Sequence, residues 1–174
     1  MTEERFIENI NLIIKNDKNG LRAIYDSYLS MVYSIALSIV KNVHSAEDIS
    51  SEVFIKVWDK AESYRYYKGH KGWLLAITHN CAIDYIRKNK KLEYMDNTNI
   101  SEIISEDSME KEICNKISLE TELSKLKDNE REIVTLHILG DLTFREISKI
   151  LAKPLGTVTW NYHNAVKTLR RCKF

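Results

Sequence analysis

Apolar residues recur at helical spacing through most of the chain. Between Leu21 and Lys41 they stand at positions 21, 24, 25, 28, 29, 32, 35, 36 and 39. This is the pattern of a helix that is buried along one broad side. A shorter amphipathic stretch precedes it and ends at the polar turn of residues 16–20. The pattern predicts two packed helices at the start of a helical domain.

Residues 45–91 contain two more amphipathic stretches. Ser45 opens the first, with Asp48 three residues on, which predicts a capped helix that begins at Ser45. This helix carries two apolar stripes, which are Ile49, Val53 and Val57 on one side and Phe54 and Trp58 on the other. One stripe is expected in the domain core, and the other is available to a partner.

A segment with two glycines separates these two helices. In residues 64–72 cations alternate with tyrosines, and the glycines break the helical pattern. Unstacked nucleic-acid bases favour such surfaces, because rings stack on bases while cations attract phosphates. The next helix is expected from Trp73 to Lys91, and its cationic end suits phosphates.

The second half of the chain begins with a change of composition. From residue 92 to 118 the periodicity weakens and acids dominate, as expected of a tether. Helical spacing returns at Leu119, and Thr143 with Glu146 then forms a capping box. A tight turn at Pro154 leads into a final helix, so the pair is a helix-turn-helix whose second helix faces DNA. The predicted fold is all-α, with two small helical domains (1–91 and 119–174) joined by a flexible acidic linker (92–118).

Charge is unevenly distributed, although the net charge is only +1. Residues 59–91 hold eight Lys or Arg against three acids, residues 92–132 hold five against twelve, and residues 147–174 hold six against none. Two separated basic zones are typical of a protein that touches two places on one DNA. The 44% apolar content supports packed cores, and five glycines with one proline favour helices over sheet.

Cysteine spacing and hydropathy exclude several other classes. Cys81, Cys114 and Cys172 form no CxxC pair and no zinc-ligand spacing, so neither a disulfide framework nor a metal site is expected. No signal peptide pattern opens the chain, and the longest apolar stretch, residues 29–40, is too short to span a bilayer. We expect a soluble cytoplasmic protein without membrane insertion, cofactor or small-molecule substrate.

The first domain resembles region 2 of the extracytoplasmic-function (ECF) sigma factors of the sigma-70 family. The matching residues, in order, are Ala46-Glu47-Asp48, Glu52-Val53-Phe54, Trp58, Trp73-Leu74, Ile77, Asn80 and Ala82-Ile83-Asp84-Tyr85-Ile86-Arg87. The second domain is similar to region 4 of the same family through Leu126, Glu130-Arg131-Glu132, Thr143-Phe144-Arg145-Glu146-Ile147, Pro154, Gly156-Thr157-Val158, His163, Ala165 and Leu169-Arg170.

Some positions depart from the family pattern. Ser51 replaces a usual glutamine, Lys153 a usual apolar residue and Trp160 a small serine. Basic residues that are common on the recognition helix are replaced by Thr159, Asn161 and Asn164. An asparagine amide matches the N6 and N7 edge of adenine, so an adenine-rich upstream element is expected.

The resemblance implies an alternative sigma factor without catalysis, which binds core RNA polymerase and reads the minus-10 element with region 2 and the minus-35 element with region 4. An anti-sigma factor is a further expected partner. Contacts to core polymerase are expected at Asp48, Glu52, Phe54 and Trp58. Contacts to minus-10 DNA are expected at Tyr64, Tyr66, Tyr67, Lys68, Lys71, Trp73, Asn80, Arg87 and Lys88. Contacts to minus-35 DNA are expected at Thr157, Thr159, Trp160, Asn161, His163, Asn164 and Lys167.

Alternative functions stay open at this stage. A helix-turn-helix regulator could recruit polymerase without being a sigma subunit. An enzyme could pair His79 with Asp84 or with Cys81, although neighbouring positions of a helix point in different directions. A structural adaptor would bind no DNA. Trp58 could simply close the domain core, and Asn80 could simply bind water.

Overall fold

The computed structural model describes residues 1–65, 69–95 and 122–171, and for residues 90–95 it describes the backbone alone. Within these ranges the regular elements are all helical. They are α1 (Glu3–Ile14), α2 (Lys18–Val40), α3 (Val43–Asp59), a 3-10 helix (Ala61–Ser63), α4 (His70–Met95), α5 (Asp128–Ile138), α6 (Phe144–Ile150) and α7 (Leu155–Arg171). The predicted all-α fold is confirmed. The predicted linker lies outside the described residues, except that residues 92–95 continue α4.

Helices α1 to α4 share the core of the first domain. Its most deeply buried side chains include Phe6, Ile24, Val53 and Leu74, each with no exposed surface. Helix α1 approaches α2 closely at Gly20, where an added Cβ would stand 2.4 Å from the carbonyl oxygen of Asn9. The N-terminal helix is therefore a full member of this core.

Helix α2 is the central element of the first domain. It is long and apolar enough to cross a membrane by length and composition. In this fold it packs against α1, α3 and α4 instead. Its buried face is formed by Gly20, Ile24, Tyr28, Val32, Ile35 and Ala36. Other residues of α2, including Leu21, Leu29 and Leu37, pack against the same core while partly buried, so protein contacts cover part of its apolar surface.

The predicted start of α3 at Ser45 is wrong. The helix begins at Val43, and the side chain of Asn42 caps it by accepting the backbone N–H of Ser45 at 2.8 Å. Ser45 is a buried residue of the first turn, and its hydroxyl lies 2.8 Å from that of Tyr85 on α4. Both Asn42 and Ser45 are good capping residues, and this contact with α4 places Ser45 inside the helix.

Helices α5 to α7 form the second domain. Ile133, Leu136, Ile147 and Val158 are fully buried in one apolar cluster. The capping box at the start of α6 is confirmed, because the Thr143 hydroxyl accepts the Glu146 backbone N–H at 3.3 Å and the Glu146 carboxylate accepts the Thr143 N–H at 2.8 Å. A short turn then joins α6 to α7, which gives the predicted helix-turn-helix.

The two domains pack against each other, which the sequence did not predict. Ile35 on α2 and Leu75 on α4 are buried in the same cluster as the second-domain residues. Gly140 stands at the tightest approach, since an added Cβ would lie 2.6 Å from Leu75 Cδ1. The apolar contact therefore joins α2 and α4 to α5 and the segment that follows it.

Ion pairs surround this apolar contact. Lys41 Nζ lies 2.6 Å from Asp128, and Lys71 Nζ lies 2.9 Å from Asp141. The hydrogen bonds from these lysines hold the pKa values of both aspartates below their usual range. Both carboxylates are exposed, so salt screens these pairs and each adds little to stability.

Replacing Gly140 by alanine should weaken the contact between the domains. The new methyl group would stand 2.6 Å from Leu75 Cδ1 and 2.5 Å from the carbonyl oxygen of Leu136, so both must shift, and we expect a loss of about 1–3 kcal/mol in unfolding free energy. Gly156→Ala is the matched control, because nothing lies within 4 Å of its added Cβ and alanine favours the helix. Urea unfolding followed by circular dichroism compares them, and equal stability of both variants would contradict the close contact.

Candidate polymerase and nucleic-acid interface

One face of α3 is left uncovered by the residues that the structure describes. Ala46, Ile49, Val53 and Val57 point inward and are fully buried or nearly so. The opposite face carries Asp48, Ser51, Glu52 and Ile55, which occur at the i, i+3, i+4, i+7 spacing of a single helix face. Ile55 is 61% exposed. We call these four residues the α3 outer face.

The four predicted polymerase contacts differ in how far they are exposed to solvent. Asp48 is exposed and Glu52 is partly exposed, with Glu52 2.7 Å from Lys56. Phe54 is only 4% exposed, and its ring centroid lies 4.8 Å from that of Tyr25 on α2. Trp58 is half-buried against the same core. The Phe54 and Trp58 stripe therefore packs largely inside the domain, and the exposed apolar side chains of this helix are Ile55 and, at its first residue, Val43.

The aromatic residues that flank the loop before α4 are part of a ring cluster. Tyr64 and Trp73 have ring centroids 5.3 Å apart in an edge-to-face arrangement. The ring of Phe6 on α1 lies 5.3 Å from Tyr64 and 6.2 Å from Trp73. The predicted contacts Tyr66, Tyr67 and Lys68 lie outside the described residues. Helix α1 thus packs, through Phe6, against the aromatic residues on both sides of the loop that precedes α4.

Asn80 lies at the mouth of a cleft between α3 and α4. The cleft has a volume of about 310 Å³ and is lined by Lys56, Lys60, Ile77, Asn80, Ile83, Asp84 and Arg87. The Asn80 side chain is exposed, so its amide can donate to and accept from a group that enters the cleft. Of the cations that line it, Lys56 pairs with Glu52 at 2.7 Å and Arg87 pairs with Asp84 at 3.3 Å. Lys88 is exposed on the following turn of α4.

Lys71 is placed differently from the other predicted minus-10 contacts. Its ammonium group pairs with Asp141 of the second domain, and its side chain is 33% exposed. In this conformation the contact between the domains occupies this cation.

The recognition helix α7 has a clear inside and outside. Val158 and Ala165 are fully buried, as the periodicity predicts. Thr157, Trp160, His163 and Lys167 are exposed, and Thr159, Asn161 and Asn164 are half-buried. Trp160 is 65% exposed and is the largest outward side chain. A cationic groove of His163, Val166, Lys167, Arg170 and Arg171 continues toward the end of the helix.

Asn161 and Thr159 are engaged within their own helix. The Asn161 amide donates to the carbonyl of Thr157 at 2.8 Å, and the Thr159 hydroxyl donates to that of Leu155 at 2.8 Å. The Asn161 amide must therefore turn away from its own helix before it can make two bonds to a base.

The Glu130-Arg131-Glu132 run organises the second domain. The Glu130 carboxylate accepts the backbone N–H of Lys127 at the start of α5. Arg131 is 8% exposed and donates to the carbonyls of Leu123, Ser124 and Leu126 and to the Asp128 carboxylate, at 2.8, 3.3, 2.9 and 3.1 Å. This side chain fastens the segment before α5 to the domain.

Glu132 faces the first domain. Its carboxylate lies 2.9 Å from His79 Nε2 on α4 and 3.8 Å from Lys153 Nζ in the helix-turn-helix. Lys153 also donates to Asn129 at 2.7 Å. These polar partners explain how a lysine is accommodated where an apolar residue was expected.

Neither imagined catalytic pair has the required contacts. His79 has its ion-pair partner in the second domain, and Cys81 is buried, which raises the pKa of its thiol. Among the described residues no group of three or more His, Cys, Asp or Glu side chains could hold a metal ion.

Comparisons with known proteins agree with this two-part arrangement. The family model for sigma-70 region 2 matches residues 24–92, and the model for sigma-70 region 4 matches residues 116–169. The ECF RNA polymerase sigma factor SigM of Bacillus subtilis is 35% identical over 74% of this chain and 79% of its own. SigW, another ECF sigma factor of that organism, is 29% identical over 94% of both chains.

Solved structures show the same fold. The sigma factor RpoE of Bartonella quintana, in complex with the anti-sigma factor NepR, has a TM-score of 0.71 at 19% identity and covers 86% of this chain and 94% of its own. CnrH, in complex with the cytosolic domain of CnrY, has a TM-score of 0.66 at 15% identity and covers 97% of this chain and 96% of its own.

The region 2 match followed by the region 4 match defines a transcription initiation factor. The chain belongs to the ECF RNA polymerase sigma factors of the sigma-70 family. It binds core RNA polymerase and directs promoter-specific initiation, with region 2 recognising the minus-10 element and region 4 the minus-35 element. Sigma factors of this family are initiation factors rather than enzymes.

Proposed function

We propose that the α3 outer face binds core polymerase through an apolar centre and an acidic rim. Ile55 provides the apolar centre, with Asp48 and Glu52 beside it. An exposed isoleucine next to carboxylates fits a partner surface that is basic around an apolar pocket. Phe54 and Trp58 support this face from behind. The single observation that carries this assignment is the 61% exposure of Ile55 on the same helix face as Asp48 and Glu52.

The cleft at Asn80 is the proposed binding site for an unpaired base of the minus-10 element. An amide offers a donor and an acceptor to a base edge, and the exposed cations Lys60 and Arg87 can attract the adjoining phosphates. Tyr64, Trp73 and Lys88 are further proposed contacts of the minus-10 strand, and Lys71 joins them once its pair with Asp141 is broken. Tyr66, Tyr67 and Lys68 stay proposed minus-10 contacts.

Replacing Asn80 by alanine should impair promoter opening more than initial duplex binding. The lost amide removes selectivity of about 1–3 kcal/mol for the unpaired base, while the cations that attract duplex DNA remain. Permanganate reactivity of unpaired thymines measures opening, and gel retardation measures duplex binding. Asn11→Ala, on the exposed side of α1, is the matched control. Equal permanganate reactivity in both variants would remove Asn80 from the base site.

The outward side of α7 is the proposed minus-35 reader. Thr157, His163 and Lys167 are exposed, and the half-buried Thr159, Asn161 and Asn164 border the same face. The asparagines favour adenine edges, while Trp160 adds an apolar surface for a thymine methyl group. The cationic groove at Arg170 and Arg171 supplies phosphate contacts.

Simultaneous reading of both elements requires the domains to separate. The elements are about 25 base pairs apart, which is about 85 Å of duplex. A packed chain of this length is only about 40 Å across. The contacts of Leu75 with the second domain, and of Lys41 and Lys71 with its aspartates, must therefore break on the promoter. This releases Lys71 for DNA.

An anti-sigma factor is the proposed regulator, and the cytoplasm is the proposed location. RpoE of Bartonella quintana was solved in complex with the anti-sigma factor NepR, and CnrH in complex with the cytosolic domain of CnrY; both share this fold. A partner that binds both domains would gain avidity from their linkage, so neither domain alone should hold it as tightly. Purification from the native host tests this, and chain that is isolated alone would count against it.

Initiation with core polymerase and this chain alone tests the proposed assignment of surfaces. A regulator that only recruits polymerase would require another sigma factor in the same reaction. Loss of initiation in variants of the α3 outer face and of Asn80 would support the assignment.

A further inference from the structure

Glu3 on α1 bridges two points that are distant in sequence. Its Oε1 accepts the hydroxyl of Tyr64, and its Oε2 accepts the backbone N–H of His70 at 3.1 Å. The same Oε2 contacts the His70 ring at Nδ1. One carboxylate thus ties together the two ends of the segment that precedes α4.

The surroundings hold this carboxylate in place. Its side chain is 28% exposed, and that of His70 is only 10% exposed. Phe6, one turn further along α1, stacks on the His70 ring at 5.0 Å between centroids and touches Tyr64. Because α4 begins at His70, a negative charge here is also favoured by the helix dipole.

Glu3 is ionised at neutral pH. Burial raises the pKa of this carboxyl, but the hydrogen bonds from Tyr64 and His70 outweigh burial and hold the pKa below its ordinary value. The bonds to both ends of the segment are therefore made by a charged group, which strengthens them.

Packing alone does not require this arrangement. Phe6, Ile10 and Ile13 already fix α1 on the core through apolar contacts. Glu3 adds bonds that are directed only at Tyr64 and His70, 61 and 67 residues away. The region 2 match begins at residue 24, so α1 lies outside the matched segment.

We propose that Glu3 is a positioning residue for promoter opening. It holds Tyr64 and His70 at a fixed separation, so that the backbone carrying Arg65 and Lys71, their neighbours in sequence, is already ordered when single-stranded DNA arrives. An ordered site loses less conformational freedom on binding. This inference rests on the proposed role of the first domain in holding the opened minus-10 strand.

The test compares Glu3→Gln with Glu4→Gln in the full chain with core polymerase. Glu4 is exposed on the same helix and serves as the matched control. Run-off transcription is measured on a duplex promoter and on the same promoter with a mismatched bubble over the minus-10 element. We expect Glu3→Gln to lower the rate about tenfold on the duplex and to approach the parent rate on the bubble. Glu4→Gln should match the parent on both.

A second variant tests the same hydrogen bond from its other partner, in case Glu3→Gln impairs folding. Tyr64→Phe removes the hydroxyl that donates to Glu3 and keeps the ring on Phe6, so a partial loss on the duplex and recovery on the bubble are expected. Circular dichroism and affinity for core should stay at parent values in both variants.

Two results would overturn the inference while the proposed function stands. One is parent-like duplex transcription by Glu3→Gln. The other is an equal defect on duplex and bubble templates, which would assign Glu3 to packing only. If the parent chain itself initiates on neither template, the proposed function fails, and this inference fails with it.

Discussion

Replacement of Arg131 by methionine is expected to cost the protein about 3–5 kcal/mol of unfolding free energy. Arg131 is 8% exposed and binds three backbone carbonyls and one carboxylate. Methionine fills a similar volume but donates no hydrogen bond, so these carbonyls lose their buried donor. Each unsatisfied buried group costs about 1–3 kcal/mol.

Urea unfolding followed by circular dichroism measures the Arg131 effect. Arg145→Met is the matched control, because Arg145 is exposed on α6 and its loss should change stability by less than about 0.5 kcal/mol. Arg131→Lys should lie between the two, since one ammonium group cannot reach all the carbonyls. If Arg131→Met were as stable as Arg145→Met, the hydrogen bonds of Arg131 would contribute nothing to the unfolding free energy.

Reversal of Asp48 and Glu52 to lysine should weaken core binding by about 2 kcal/mol, which is about thirtyfold in Kd. Both side chains are on the α3 outer face, so a basic partner would meet repulsion in place of attraction. The fold should persist, because neither carboxylate is buried. Adding Ile55→Asp should weaken binding further by removing the apolar centre.

Glu4→Lys with Glu8→Lys is the matched control for this reversal. Both glutamates are exposed on α1, and the change in net charge is the same. Fluorescence anisotropy of labelled chain titrated with core polymerase gives the two Kd values. Equal weakening by both double variants would show that the net charge of the chain, and not the α3 outer face, determines the affinity for core polymerase. Parent affinity in the α3 variant would show that this face does not contact polymerase.

Local patterns in the sequence were enough to predict the helices and the helix-turn-helix. Apolar spacing specifies which side of α2 and α7 is buried, and the Thr143 capping box is a purely local signal. The sequence prediction failed where contacts between residues distant in sequence determine the structure, as at the start of α3. Asn42 and Ser45 both suit a helix cap, and the contact of Ser45 with Tyr85, 40 residues away, selects Asn42.

The candidate site shows the same division. Asp48 and Glu52 could be placed on an exposed face from spacing, but Phe54 is covered by Tyr25 of α2, which α3 alone cannot reveal. Ile55 could have been found, because it stands seven residues after Asp48 on the same side. The bridge from Glu3 to Tyr64 and His70 has no local signal, because it forms only when α1 packs on the domain.

Run-off transcription with purified core polymerase, this chain and no other sigma factor tests the central claim most directly. We predict transcripts with discrete starts from a subset of genomic fragments, each preceded by common minus-10 and minus-35 elements. The Asn80→Ala variant should start at the same sites with weaker opening. Absence of specific transcripts with the chain, from a core preparation that initiates normally with another sigma factor, would contradict the account.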